Sequence, residues 1–111
     1  MGPPEKREIK WEVREGFRQS YKKYLRDNPQ IKEAMAEFNR CKRLNPPQRL
    51  PGKMSDHKLD GPLKGYMDCH LADDVILIYK PLADGAIALL LVCEHADIRG
   101  KRQAATLRRI R

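Results

Sequence analysis

A chain of 111 residues is long enough to bury one hydrophobic core and too short for two, and 41% hydrophobic with 34% charged residues is the balance of a single globular domain with a heavily charged surface. No apolar run approaches the ~20 residues needed to span a bilayer, which excludes a helical membrane protein. A net charge of +8 points to a polyanionic partner, nucleic acid first and an acidic protein second.

The amino terminus, Met1-Gly-Pro-Pro-Glu-Lys-Arg7, has charges but no apolar segment after them, so no secretory signal is expected, and Lys6 stands where a myristoylation motif requires Ser or Thr. Ile9, Trp11 and Val13 then alternate with charged residues, which predicts a half-buried strand over Arg7–Val13. Phe17, Tyr21, Tyr24 and Leu25 fall at helical spacing, Asp27-Asn28-Pro29 breaks the pattern, and Ile31, Ala34, Met35, Phe38 and Cys41 resume it. Two amphipathic helices joined so tightly predict an antiparallel hairpin lying on a sheet.

Asn45 to Asp56, with three prolines and a glycine, reads as a surface loop. Four strands follow: one starting at Leu59 and turning through Gly61–Gly65, then Tyr66–Leu71, Val75–Tyr79 and Ile87–Cys93, the last so continuously apolar that it is expected inside the sheet. Asp84-Gly85 marks the hairpin before it. Arg99–Arg111 is a basic tail with six Lys or Arg, little apolar content and room for a short helix. The odd number of cysteines, Cys41, Cys69 and Cys93, widely spaced, argues against a disulfide framework and for a reducing compartment.

Short connections make neighbouring strands pair antiparallel, and that assumption fixes which ends meet. His57 precedes the first strand of the meander, His70 closes the second, Asp74 opens the third and His95 follows the fourth, so all four residues fall at one end of the sheet. Alternation puts Tyr66, Asp68 and His70 on one face of their strand and Met67, Cys69 and Leu71 on the other, as core. Singly, each histidine reads as a solvated polar residue at a strand end. Convergence of every histidine in the chain with an aspartate reads as a site.

The string from Asp56 to Lys80, DHKLDGPLKGYMDCHLADDVILIYK, with His95-Ala-Asp97 further on, resembles the YafQ-type branch of the RelE superfamily, the toxin halves of bacterial toxin–antitoxin pairs. The resemblance implies an α+β domain, its N-terminal strand and helical hairpin packed on an antiparallel sheet, spanning the whole chain. It further implies a toxin that enters the ribosomal A site and cuts mRNA there, no membrane association, a place in the bacterial cytoplasm, a cognate antitoxin and a higher-order complex with it. His57, His70, Asp74 and His95 fall on positions this branch uses for catalysis. Val75 replaces a tryptophan usual after the aspartate, Arg99 an aromatic usual after the last histidine, and Leu91-Val-Cys-Glu94 an arginine and glycine often found before it.

Cutting RNA without a metal takes a base for the 2′-hydroxyl, an acid for the leaving 5′-oxygen and positive charge for the crowded phosphate. Imidazole, with an unperturbed pKa of ~6.5, suits both transfers. His95 is the leading candidate for the acid, Asp74 or His57 for the base, and His70 for orienting a partner or touching phosphate. Lys64, Arg99, Lys101 and Arg102 are candidates for phosphate contact, and Tyr66 for stacking on a base. No cofactor is called for. A zinc site is disfavoured because Cys69 and His70, adjacent on a strand, point to opposite faces, and no CxxC or HxxxH spacing occurs. The alternative reading is a catalytically weakened or silent RNA- or ribosome-binding module of the same fold.

Overall fold

The computed structural model describes residues 5–111; residues 1–4, read above for targeting signals, lie outside it. The alternating stretch Ile9–Val13 enters a ladder only at Trp11–Val13 (β2), while a shorter strand, Glu5–Lys6 (β1), pairs antiparallel with Leu44–Asn45 (β3) as a separate ribbon. The helices are Glu15–Asp27 (α1) and Ile31–Arg43 (α2), and the break between them is held by Asn28, whose backbone N–H and side-chain amide both donate to the Tyr24 carbonyl. The proline-rich segment is a loop except for Asn45, which ends β3, and one 3-10 turn at Gly52–Met54.

Beyond it lie His57–Lys58 (β4), Met67–Ala72 (β5), Val75–Pro81 (β6) and Ile87–Cys93 (β7), and the five-stranded sheet has the order β2-β7-β6-β5-β4. The meander is antiparallel throughout, as its short connections require, but β2 runs parallel to β7, so the sheet is mixed. A parallel neighbour needs a long crossover, and the helical hairpin with the meander behind it supplies one. The strand expected from Leu59 is shifted back: β4 covers His57–Lys58, and Leu59 leaves the ladder to bury itself. Gly61 and Gly65, at φ +61° and +99°, let the chain double back between β4 and β5 where other residues would be strained.

Both faces of the sheet are covered. Phe17, Ile31, Phe38 and Cys41 of the helices pack with Cys69, Leu77, Tyr79 and Leu89 on one side. On the other, Leu59 and Leu63 of the β4–β5 connection and Ile110 of a third helix, Arg102–Ile110 (α3), pack with Ile76, Ile78, Leu90, Leu91 and Cys93. Burial on two sides is why β6 and β7 are apolar almost without interruption. Leu90 is an extra residue in β7 opposite the Ile78–Tyr79 junction, so Leu89 faces the helices while Leu90 and Leu91 both face α3. No helix among the described residues is long and apolar enough to cross a membrane.

Candidate functional site

Register carries the polar side chains to one place. His57 stands opposite Asp68, and His70 opposite Ile76, which stands opposite Cys93, on the face shared with α3. Leu71 is an extra residue between the His70–Ile76 and Ala72–Val75 pairs, so β5 kinks just before the turn that carries Asp74. Directly after β7, His95 opens a 3-10 turn, His95–Ile98, that is capped reciprocally by Glu94 and Asp97. The Asp97 carboxylate accepts from the Glu94 N–H at 3.0 Å, and α1 reaches in through Tyr24, whose hydroxyl donates to Glu94 at 3.2 Å. That hydroxyl is pushed up to about 12 by burial and then by Glu94.

His70, Asp74 and His95 form one chain of contacts. Asp74 Oδ1 accepts from the His95 backbone N–H at 3.2 Å and lies 2.9 Å from His95 Nδ1. The bond from the His95 ring, then the one from its backbone, hold the Asp74 carboxyl below its usual range, and Arg99 adds a favourable charge. On the far side of the ring, His95 Nε2 lies 2.9 Å from His70 Nε2, with the two rings nearly perpendicular at 82°. Two imidazole nitrogens that close share one hydrogen, so one ring donates while the other accepts. The His95 side chain is 22% exposed, enough for a substrate to reach it.

His57 stands apart from this chain of contacts and meets instead Asp68, which sequence reasoning left out of the site. Asp68 is fully buried, and its Oδ1 lies 2.9 Å from His57 Nε2. The distance is that of an ion pair, but its alignment falls short of a hydrogen bond, and neither Asp68 oxygen has another partner. Burial raises the Asp68 carboxyl above its usual range, against the opposing pull of His57, His70 and His95. The residue before His57 is anchored as well: the Tyr79 hydroxyl donates to Asp56 Oδ1, and Lys42 Nζ lies 3.7 Å from Oδ2 and 5.1 Å above the Tyr79 ring.

The model of the YafQ family, bacterial toxins of type II toxin–antitoxin systems, matches residues 8–100. The chain belongs to the YafQ family. It is similar to the mRNA interferase toxin YafQ of Escherichia coli K12, 43% identical over 51 residues, a match spanning 46% of this chain and 54% of that protein's length. The crystal structure of YafQ from E. coli BL21(DE3) superposes with a TM-score of 0.65 at 28% identity, covering 84% of this chain and 100% of that one. YafQ in the E. coli DinJ–YafQ complex gives 0.63 at 28% identity, covering 84% and 100%.

The remaining expected contacts divide. Arg99 acts on Asp74 at the site, whereas Arg102 is committed to Asp97 at 2.7 Å and Tyr66 packs into the second core cluster with Lys80 Nζ 5.2 Å above its ring. Lys64 and Lys101 are exposed, with no contact that ties them to the histidines. Of the departures from the YafQ pattern, Val75 is buried in the helix-facing core, and Glu94 has become the cap of the His95 turn. All three cysteines are buried, and burial raises their thiols. No group of three or more His, Cys, Asp or Glu placed to hold a metal ion occurs among the described residues.

Proposed function

We propose that this YafQ-family toxin is a ribosome-dependent mRNA endoribonuclease that cuts in the A site by metal-independent acid–base catalysis and so stops translation. The observation that carries the reading is the Asp74–His95–His70 chain, in which a carboxylate backs one imidazole and the outer nitrogens hold one proton between them. RNA entering the site would exchange the imidazole–imidazole contact for contacts to its own reacting groups. His70 Nε2 takes the 2′-hydroxyl proton, the 2′-oxygen attacks the adjacent phosphorus, and His95 Nε2 protonates the departing 5′-oxygen. Asp74 stabilises the imidazolium form of His95 from behind and fixes its tautomer, a use that this geometry favours over the role of base. Arg99 supplies charge near the phosphate. The natural partners are the ribosome, mRNA and a cognate antitoxin, in keeping with the DinJ–YafQ complex, in a higher-order assembly in the bacterial cytoplasm.

The silent RNA-binding alternative has one observation in its favour: Val75, buried where the family pattern has tryptophan, offers a base no surface to stack on. Single-turnover cleavage of ribosome-bound mRNA in excess EDTA, alongside growth after induction, separates the two. The expected result is a discrete cut in the A-site codon and growth arrest; ribosome binding with intact mRNA and normal growth would overturn the enzyme reading.

A further inference from the structure

Asp68 sits within β5 with no exposed surface, and neither of its carboxylate oxygens has an aligned hydrogen-bond donor. A buried carboxylate in that condition is strongly unfavourable unless a cation stands beside it. The titratable groups that face it are His57 from β4, His70 along its own strand and His95 from beyond β7, with Asp56 adding a like charge. His57 makes the contact, at 2.9 Å.

The other nitrogen of that ring fixes the proton count. His57 Nδ1 lies 2.7 Å from the Ser55 carbonyl oxygen, an atom that can only accept, so Nδ1 carries a hydrogen. Nε2 stands 2.9 Å from the carboxylate without an aligned hydrogen bond, the separation of an ion pair. A second proton on the pair makes that separation attractive, through charge rather than through a shared hydrogen. It belongs on the ring, since an imidazole ordinarily holds a proton more tightly than a carboxyl by about 2.6 pKa units, and although burial raises the Asp68 carboxyl, the His57, His70 and His95 charges pull it back down.

The geometry points to Asp68 as a positioning residue that keeps His57 an imidazolium with both N–H groups turned into the protein, so that His57 meets an RNA phosphate as a fixed cation and transfers no proton. This rests on the ribonuclease reading above and leaves proton transfer to His70 and His95. The His57 side chain is 51% exposed, so its charge is presented at the surface even though its nitrogens are occupied. Asp56, tied down by Tyr79 and Lys42, keeps the ring from following the loop away from Asp68.

Ring nitrogen chemical shifts of His57 in the full-length protein test the protonation state with no variant and no RNA. Both nitrogens are expected to be protonated at neutral pH, and a bare Nε2 there would overturn the proposal. Asp68→Asn keeps the shape and removes the charge. It should leave His57 singly protonated and slow cleavage of ribosome-bound mRNA about 10- to 100-fold at about pH 8, with recovery toward wild type at about pH 6, where imidazole takes its proton unaided. An equal loss at both pH values would mark Asp68 as merely structural, and no loss at all would be equally fatal. His57→Arg, which carries a permanent charge, should retain at least about tenfold more activity than His57→Ala; equal inactivity would mean that His57 moves protons. Failure of the wild-type protein to cut would sink the ribonuclease reading, while the ring shifts would still decide the His57–Asp68 pair.

Discussion

The Asp74 carboxylate within 2.9 Å of Nδ1 leaves His95 only one nitrogen with which to exchange protons, Nε2, and that atom faces His70. His95→Ala should therefore slow single-turnover cleavage by about 100- to 10,000-fold with the fold intact by circular dichroism, and ribosome affinity should hardly change. Arg99→Ala is the control, expected to weaken binding at least as visibly as it slows the cut. Wild-type cleavage by a folded His95→Ala protein would remove it from the mechanism. Asp74→Asn should cost about 100-fold and leave a signature in stability as well. Because the folded-state pKa of Asp74 is lowered, its contribution is fully present above the ordinary Asp value of about 3.9 and is lost as pH falls through the depressed one. The gap in melting temperature between wild type and Asp74→Asn should thus be full near pH 6 and close below about pH 4. The positions of His57, His70, Asp74 and His95 were legible because each marks a strand end, and ends follow from short connections. Asp68 was not. Alternation says that it shares a face with His70, but only the tertiary fold shows that this face is packed over and that Asp68 is out of water.

At the scale of elements, α3 supports the turn that presents His95. Thr106 donates to the Asp97 carbonyl at 2.6 Å, Gln103 donates to the Ile98 carbonyl at 2.9 Å, and Arg102 pairs with Asp97 at 2.7 Å. Ile110, 4% exposed, pins the helix to the second face of the sheet. Ile110→Ala should lower stability by about 2–4 kcal/mol, the range for emptying a buried aliphatic site, and slow cleavage where the protein is still folded, because the His95 turn loses its backing. Thr106→Val, which removes one buried hydrogen bond, should cost about 1 kcal/mol. Chemical denaturation read by circular dichroism, with cleavage assayed in the folded range, checks both; an unchanged cleavage rate in a measurably destabilised Ile110→Ala protein would uncouple α3 from the site. This helix was only half legible. Six basic residues among thirteen read as a solvated tail, and the apolar pair Leu107 and Ile110 is too sparse to announce a buried face. The hairpin of α1 and α2 was plain because its apolar stripes repeat over three turns and more.

Two features act at the scale of the whole molecule. One is the parallel pairing of β2 with β7: the sequence marks Trp11–Val13 as a strand but holds no sign of a partner more than seventy positions away. The other is a row of exposed cations that contributes to the +8 charge. Arg18, Lys22 and Arg26 recur every four residues and are exposed along α1, with Arg14 at its N-cap continuing the row, while Phe17 and Ser20 on the other side of the helix are buried. A row of that kind tracks a phosphate backbone without reading its sequence. Each phosphate it neutralises on a single strand releases counterions and contributes about −0.7 to the slope of log affinity against log salt, so four contacts predict a slope near −3 and a loss of about 50-fold over a fourfold rise in salt. Reversing Arg18 and Lys22 to Glu should weaken ribosome binding and flatten that slope by at least ~1.4, the share of two contacts. Once the ribosome is saturated with the variant, however, mRNA should be cut at close to the wild-type rate, since His70, Asp74 and His95 are untouched. Affinity titrated at three or four salt concentrations, with single-turnover cleavage at saturation, measures both. A slope unchanged by the double reversal would move the binding surface off α1, and a slope near zero in the wild-type protein would deny electrostatics any part in binding.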